Sequence, residues 1–372
     1  MDLYIDRDQL AVGLSRVQGV IERRSTFPML SHVLFHAHKD GLRVTATDTE
    51  VAYIGDLPAN VQQPGELAVD ASNLFAMVRA YGDTTVHMKT LPGNKLDVSC
   101  GRSEVRLPGA PASEFPAMPA FDPRGTARLS EGALRRLVDQ TSFAVASEDH
   151  RFGLNGAHLE ERKNAAGERV LRIVATDGHR LSAAEARIEG EVALSPRMLV
   201  PRKALAVMKK LLEGDTETVE LGFGEGAIRL QRAGQTFWFR LLDGEFPDYS
   251  AVVPKEGKHV AIIGREELSS TLKRVAILVQ DRARAVKFSF REAELEIQVH
   301  NVDRGEIVES LPIELEGEPI VAGFNVRYMQ DILAVTKGST IRLEMAHPLA
   351  PCLVRDPESD EAFFVVMPMR LD

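Results

Sequence analysis

Two kinds of hydrophobic pattern alternate along this chain. In LRVTATDTEVAYI, LRIVATDGHRLSAAEA and LEIQVHNVDRGEIVES, apolar and polar residues alternate between Gly, Pro and Asp turns, the period-2 pattern of strands with one face buried. Elsewhere apolar residues recur at three- and four-residue spacing behind a cap-like start: DRDQLAVGLSRVQGVI from Asp6, SEGALRRLVDQTSFAV from Ser130 and GREELSSTLKRVAILV from Gly264. These predict short amphipathic helices. A second set, VDASNLFAMVRAYGDTTVHM from Val69, VPRKALAVMKKLLEGDTETVEL from Val200 and VAGFNVRYMQDILAVTKGSTIRLEM from Val321, reads as helix, turn and strand.

Each pattern thus occurs three times, and self-similarity at a fixed period decides the architecture before any motif does. Val69 and Val200 are 131 residues apart, and EFPAM at Glu114 returns as EFPDY at Glu245 with the same offset. The repeating unit carries two helices and about eight strands. A third of 372 residues is 124, enough for an independent domain. Linkers near FDPRG at Phe121 and VPKEGKH at Val253 give domains at 1–122, 127–251 and 256–372. Helices and strands do not alternate strictly, so the class is α+β with mostly antiparallel sheets.

Composition narrows the function classes. The 44% hydrophobic and 27% charged residues are ordinary globular values. No window approaches the roughly 18 uninterrupted apolar residues of a membrane helix, and MDLYIDRDQL is not a signal peptide, so a cytoplasmic location is expected. Two cysteines, Cys100 and Cys352, cannot build a four-thiolate metal site and are expected to be reduced thiols. With 45 basic and 54 acidic residues the net charge is −9, which argues against a simple basic nucleic-acid binder.

The distribution of charge changes that picture. On the helix from Arg202, residues Arg202, Lys203, Lys209 and Lys210 share a side, opposite Leu205, Met208, Leu211 and Leu212. Segment 197–213 holds five basic residues, Arg197 among them, and one acid. Segment 264–287 holds six and three, with Lys273 and Arg274 opposite Leu268, Leu272 and Val275. Arg135 and Arg136 occupy the matching helix of the second repeat. One basic helix face is an ordinary solvated surface; the same stripe on repeated helices predicts a lining for a phosphate backbone, read without base contacts. No aromatic residues interleave, which favours duplex over single strands.

The motifs RFGLNG at Arg151, VATDGHRL at Val174, VPRKA at Val200, DGEFPDY at Asp243, GFNVRY at Gly323 and the terminal VVMPMRL from Val365 resemble those of the bacterial DNA polymerase III beta subunit, the sliding clamp family. The likeness covers the whole chain. It implies a head-to-tail homodimer in which six clamp domains close a ring around duplex DNA, helices lining the pore and antiparallel sheets outside, with no catalytic activity and no cofactor. Partners implied are the polymerase III alpha subunit, the clamp loader delta subunit, other DNA polymerases, ligase and mismatch-repair proteins, all through short peptide motifs. The resemblance further implies that duplex DNA is bound without sequence preference, that no membrane is contacted and that the protein is nucleoid-associated.

The resemblance also assigns residues. A peptide pocket falls on Leu154, Thr176, Gly178, His179, Arg180, Leu181, Pro247, Val252, Val365, Met367, Pro368, Met369, Arg370 and Leu371. At its edges Phe152 and Gly153 replace tyrosines, Ala251 replaces a basic residue, and Asp372 extends the usual terminal leucine. The methionines and leucines are expected as apolar anchors, with His179, Arg180 and Arg370 on the rim. Phosphate contacts are expected from Arg24, Arg135, Arg136, Arg202, Lys203, Lys210, Lys273 and Arg274, and a dimer contact of Val105 and Leu107 with Ile277 and Leu278.

Size offers a separate check. A domain of ~124 residues has a radius of gyration of about 14 Å and an equivalent sphere radius of roughly 18 Å. Three such spheres enclose a hole of roughly 3 Å radius, and six one about 35 Å across. Duplex DNA needs roughly 20 Å. One chain cannot encircle it; two can.

Other motifs carry less. GFGEGA at Gly222 satisfies a dinucleotide fingerprint, but a strand-like AIRLQRAG follows where a helix is required. Ser270 and Lys273 form S-x-x-K with no S-D-N after it. His32, His36 and His38 share one strand face without a nearby acidic or thiol ligand. The alternative from another function class is a hydrolase using Asp177, His179 and Ser182, which requires three near neighbours on one strand to converge.

Overall fold

The computed structural model describes residues 1–372 except 23–25, 119, 148–152, 191, 193, 195–197, 256, 280–284, 302–303 and 372. Arg24, Arg197, Phe152 and Asp372, named above, lie outside the described residues. Helices form where the spacing predicts them: α1 Arg7–Val17, α2 Ala71–Ala80, α3 Glu131–Thr141, α4 Arg202–Leu211, α5 Arg265–Val275 and α6 Val326–Val335. Local chemistry starts several of them. The Asp6 carboxylate accepts from the amides of Asp8 and Gln9 at 2.9 and 3.0 Å, Asp70 from Asn73 at 2.8 Å and Asn325 from Arg327 at 3.0 Å, satisfying donors that a helix start leaves open. Each helix buries one stripe, as Leu10, Gly13, Leu14 and Val17 do on α1.

Two compact units result. The first joins 1–132 with 188–194 and 203–241, around an antiparallel sheet of thirteen strands. Its order runs Gly125–Ser130, Thr218–Phe223, Ala227–Arg232, Gln235–Arg240, Val51–Leu57, Gly41–Thr47, His32–His38, Gly65–Asp70, Ser103–Ala110, Lys95–Cys100, Thr85–Leu91, Asp2–Asp6, Asn60–Gln63. The second joins 133–187, 195–202 and 242–372, around a twelve-stranded sheet. There the order is Ile320–Asn325, Ala285–Phe290, Glu294–Asn301, Gly305–Glu316, His259–Gly264, Thr340–Met345, Cys352–Arg355, Ala362–Val366, Arg180–Arg187, Arg169–Thr176, Gly156–Lys163, Leu199–Pro201.

These units do not coincide with the sequence repeats. Each sheet runs across a seam between repeats, so the middle repeat contributes strands to both. At the first seam Val51, Ala52 and Tyr53 pair with Phe239, Trp238 and Phe237. At the second, Arg180, Leu181 and Ser182 pair with Val366, Val365 and Phe364. GFGEGA is indeed followed by the strand Ala227–Arg232. Cys100 and Cys352 are buried free thiols whose burial pushes their pKa values up.

One buried ion pair anchors the first unit. The Glu131 side chain is fully buried, and its Oε1 accepts from the Gly214 amide at 2.7 Å and lies 2.7 Å from Arg232 Nη1. Arg232 also donates to the Leu211 carbonyl at 2.6 Å and to Glu217 at 3.0 Å. A Cβ on Gly214 would stand 2.7 Å from Glu131 Oε2, so the glycine is what lets the carboxylate reach the backbone. Breaking a buried pair from one side leaves a desolvated charge behind. Glu131→Ala should therefore destabilise this unit by about 3–5 kcal/mol, seen as an earlier transition in chemical denaturation followed by Trp238 fluorescence.

Candidate peptide groove and charged surfaces

A four-residue turn positions the candidate groove in the second unit. Thr176 Oγ1 donates to the Arg180 carbonyl at 2.7 Å and accepts from the Gly178 amide at 3.1 Å. Asp177 Oδ1 accepts from the amides of His179 and Arg180, both at 3.0 Å. Gly178 supplies the positive φ, +85°, that this turn needs. The strand leaving the turn then pairs with Ala362–Val366, which sets Leu181 beside Val365.

Those two side chains belong to a buried apolar cluster with Val174, Ala183 and Leu353, against which Phe246, Tyr249, Val253 and Phe363 pack. Leu154 is also buried. Met367, Val252 and Leu371 stand exposed beside it, as do Pro247, Gly178, His179 and Arg370, while Thr176, Pro368 and Met369 are half-buried. The chain end is fixed by two backbone bonds: the Met367 amide donates to the His179 carbonyl at 2.9 Å and that of Met369 to the Gly323 carbonyl at 2.8 Å. A Cβ on Gly323 would lie 2.6 Å from the Met369 carbonyl oxygen, so only glycine admits the tail there. The arrangement is a soft apolar floor with exposed methionine and valine edges.

Arg180 is not on the rim. Its side chain is 10% exposed; it donates to Asp177 Oδ2 at 3.0 Å, Asp331 Oδ2 at 2.6 Å and the Phe143 carbonyl at 2.6 Å. Its guanidinium lies 4.4 Å from the Tyr328 ring centroid and 5.1 Å from that of Phe143. With its donors committed, it shapes the groove from behind, and the exposed polar side chains at the rim are His179 and Arg370. The same bonds dismantle the hydrolase reading: Asp177 is occupied by Arg180 and two amides, and buried Ser182 donates to the Gln140 carbonyl. His32, His36 and His38 do share a face, but each has its own partner, in Pro28, Glu66 and Asp56.

The segment from Glu245 to Val253, of which sequence reasoning names Pro247, Val252 and the edge residue Ala251, owes its place to two residues that such reasoning leaves unnamed, Phe246 and Tyr249. Tyr249 donates to Glu160 and accepts from Arg172 at 3.4 Å, pinning the segment to the sheet. Phe246 stacks on His158, ring centroids 5.4 Å apart. Ala251 lies within this segment and Gly153 borders it: a Cβ on Gly153 would lie 2.5 Å from the Glu245 carbonyl oxygen.

Among the expected phosphate ligands, Arg202, Lys210 and Lys273 are exposed. Lys203 departs from that expectation: it pairs with Asp48 and donates to the Val20 carbonyl at 3.0 Å. Arg274 is held by both oxygens of Glu309, which is itself pulled below the ordinary carboxylate range by that contact. Half-buried Arg136 has its Nε 3.6 Å from Glu361, and Arg135 is half-buried too. A helical angle shows which face a cation occupies; it is silent about acids arriving from distant strands. Of the four expected dimer residues, Ile277 is 70% exposed, Val105 and Leu278 are half-buried, and Leu107 is packed into its own unit.

A repeated two-helix unit backed by continuous antiparallel sheet, with an apolar groove at a repeat seam, defines a clamp-type protein. Family models of the DNA polymerase III beta subunit match the chain three times: the N-terminal domain over residues 1–119, the central domain over 128–248 and the C-terminal domain over 250–370. The chain belongs to the DNA polymerase III beta subunit family, whose members are non-catalytic processivity factors. It is similar to the beta sliding clamps of Caulobacter vibrioides, 34% identical over 374 residues, and Pseudomonas putida, 35% over 373, each covering 100% of both chains. A solved clamp from Bartonella birtlesii bound to griselimycin superposes with a TM-score of 0.93 at 32% identity, and one from Caulobacter crescentus with bound PEG at 0.91 and 34%, again over 100% of both chains.

His158 makes the groove's cover sensitive to acid. Burial holds its pKa below 6.5, with the Glu160 carboxylate opposing. The folded form therefore binds the proton less readily than the unfolded chain, so this contribution is present above about pH 6.5 and is lost as the pH falls through the depressed folded value. Thermal unfolding between about pH 5 and 8 should show the second unit weakening on acidification, and His158→Phe should flatten that dependence.

Proposed function

We propose that two copies of this chain pair head to tail into a ring around duplex DNA, tether the replicative polymerase by topology, and present the second unit's groove to its peptide motifs. In this reading the repeats at 1–122, 127–251 and 256–372 are the three clamp domains of each protomer. The groove is the observation that carries the peptide part. Buried Leu181 and Val365, flanked by exposed Met367 and Val252, suit the apolar anchors of an extended segment, while His179 and Arg370 can hold its polar groups. The partners inferred are the polymerase alpha subunit, the loader delta subunit, other polymerases, ligase and mismatch-repair proteins, acting on DNA in the bacterial cytoplasm.

Pairing draws support from one half-open strand in each unit. Ser103–Pro108 is paired on one side with Lys95–Cys100, and on the other only Gly109 and Ala110 find partners. Gly305–Pro312 is paired with Glu294–Asn301, and its far side acquires a partner only from Ile313 onward. An open edge is a template for another strand. Two copies that each supply both edges close after two contacts. Val105 and exposed Ile277 serve that contact, and Val308, 52% exposed on the second edge, joins them; Leu107 supports it from within its own unit.

Phosphate contacts from Arg202, Lys210 and Lys273 are weak and salt-dependent, so retention comes from encirclement. Protein loaded on closed circular DNA should persist and should leave linear DNA through its ends, while Ile277→Glu should yield folded monomers in sedimentation that neither topology retains. Equal retention of the parent on both DNAs would contradict the ring. Removing residues 367–372 takes away one wall of the groove and neither open strand. The truncated chain should remain a dimer and lose at least tenfold affinity for polymerase-derived peptide in fluorescence anisotropy, about 1.4 kcal/mol.

A further inference from the structure

The first unit repeats the construction that places the groove in the second. Its turn Thr47–Glu50 carries the same bonds: Thr47 Oγ1 donates to the Val51 carbonyl at 3.0 Å and accepts from the Thr49 amide at 2.9 Å, and Asp48 Oδ1 accepts from the amides of Glu50 and Val51 at 2.9 and 2.6 Å. The Arg240 amide donates to the Glu50 carbonyl at 2.8 Å, as the Met367 amide does to that of His179. The seam pairs Ala52 with Trp238 where the other pairs Leu181 with Val365. Position by position, Trp238 stands for Val365 and Arg240 for Met367. The shared 131-residue offset of the EFP segments sets Phe121 for Val252.

A groove of about 500 Å³ opens at this place, lined by Phe121, Arg124, Glu225, Ala227, Trp238 and Arg240 among others. Phe121 and Met118 pack against Ala52, Ala227 and Trp238, as Tyr249 and Val253 pack on the other seam. The GFGEGA segment now has a use: a Cβ on Gly224 would come within 2.7 Å of the Phe121 ring, so the aromatic wall rests on bare backbone. Trp238 is 8% exposed, and its indole N–H has no acceptor among the described residues. A buried donor left unsatisfied is costly unless something supplies an acceptor. Arg240 is exposed and bonds to no acid among the described residues, whereas Arg124 at the rim is held by Glu225.

We propose that this groove is a second peptide-binding site, selective for an extended segment that carries one acidic side chain beside an apolar one. The apolar side chain lies against Trp238 and Phe121. The carboxylate meets Arg240 at the position where the other groove offers a thioether. The buried Trp238 N–H is the donor left for a backbone carbonyl of the segment, next to a Phe121 ring whose centroid lies 5.0 Å from the Arg229 guanidinium. Asp122 and Glu225 on the rim limit the ligand to a single carboxylate, not an acidic run. The volume falls in the range of small-ligand pockets and matches a few residues. The comparison rests on reading the second unit's groove as a peptide site, and the test separates the two.

Trp238 is the chain's single tryptophan, so its emission reports this groove alone. The probe is acetyl-Gly-Asp-Leu-Phe-Gly-amide, titrated into the full-length protein, with a counterpart bearing Lys for Asp. Expected are a saturable change in Trp238 emission, affinity weaker by about tenfold in Arg240→Glu, recovery of that variant with the Lys probe, and no effect of deleting 367–372. Arg240→Gln, which removes the charge without reversing it, should fall between parent and Arg240→Glu. No saturable change at millimolar peptide, a change indifferent to both Arg240 variants, or one abolished by the tail deletion would overturn the proposal. Failure of the second unit's groove shows separately, as undiminished anisotropy binding of polymerase peptide by the truncated chain.

Discussion

The backbone ladder across each repeat seam is the constraint on which the rest depends. Three sequence repeats could have closed three separate sheets. Instead Val51–Gly55 pairs with Gln235–Phe239, and Arg180–Ala184 with Ala362–Val366, so that the sheets run to thirteen and twelve strands. A ladder of this kind satisfies backbone groups that would otherwise form exposed edges. It also determines where grooves can form. At each seam the connecting segment between repeats packs against the sheet, and the hollow beside it is the groove proposed for a guest chain.

The two seams show how similar backbones acquire different chemistry. Both turns use threonine and aspartate in the same way, and each leaves the second carboxylate oxygen to a cation: Lys203 for Asp48 and Arg180 for Asp177. Arg180 continues to Asp331 and lies between two aromatic rings, so one guanidinium joins the turn to α6. Basic residues in this acidic chain therefore divide into those that bind the protein to itself and those left exposed, which the proposed ring would offer to phosphate. Lys203, Arg180, Arg232 and Arg274 belong to the first kind; Arg202, Lys210 and Lys273 to the second.

Much of this was legible in the sequence where the cause was local. The cap at Asp6, the helical spacing and the alternating strands place elements correctly, while the caps Asp70 and Asn325 emerged only with the structure. The Thr-Asp-Gly turn also has a local cause, because glycine takes φ +85° without strain, whereas Thr49 holds φ +78° at the matching place of the first unit. What escaped was long-range. Nothing near Lys203 announces Asp48, 155 residues away, and nothing near Arg180 announces Asp331, 151 away. Leu107 sits on a strand whose alternation does not say which face is covered, and it proved buried in its own unit. The seams were invisible for the same reason: strand pairing between repeats depends on register across the whole chain.

The tail's methionines have a chemical consequence beyond fit. Met367 is 36% exposed and Met369 half-buried, both held by backbone bonds that fix their position. Thioethers are the one kind of apolar side chain that a mild oxidant makes polar without breaking the chain, and reductases can restore them. A sulfoxide at either position would put a strong dipole on the wall that a leucine or phenylalanine must wet. The groove's hydrophobicity is thus a redox-dependent property of two sulfur atoms, whereas the first unit's wall is mainly the rings of Trp238 and Phe121, with half-buried Met118 beside them.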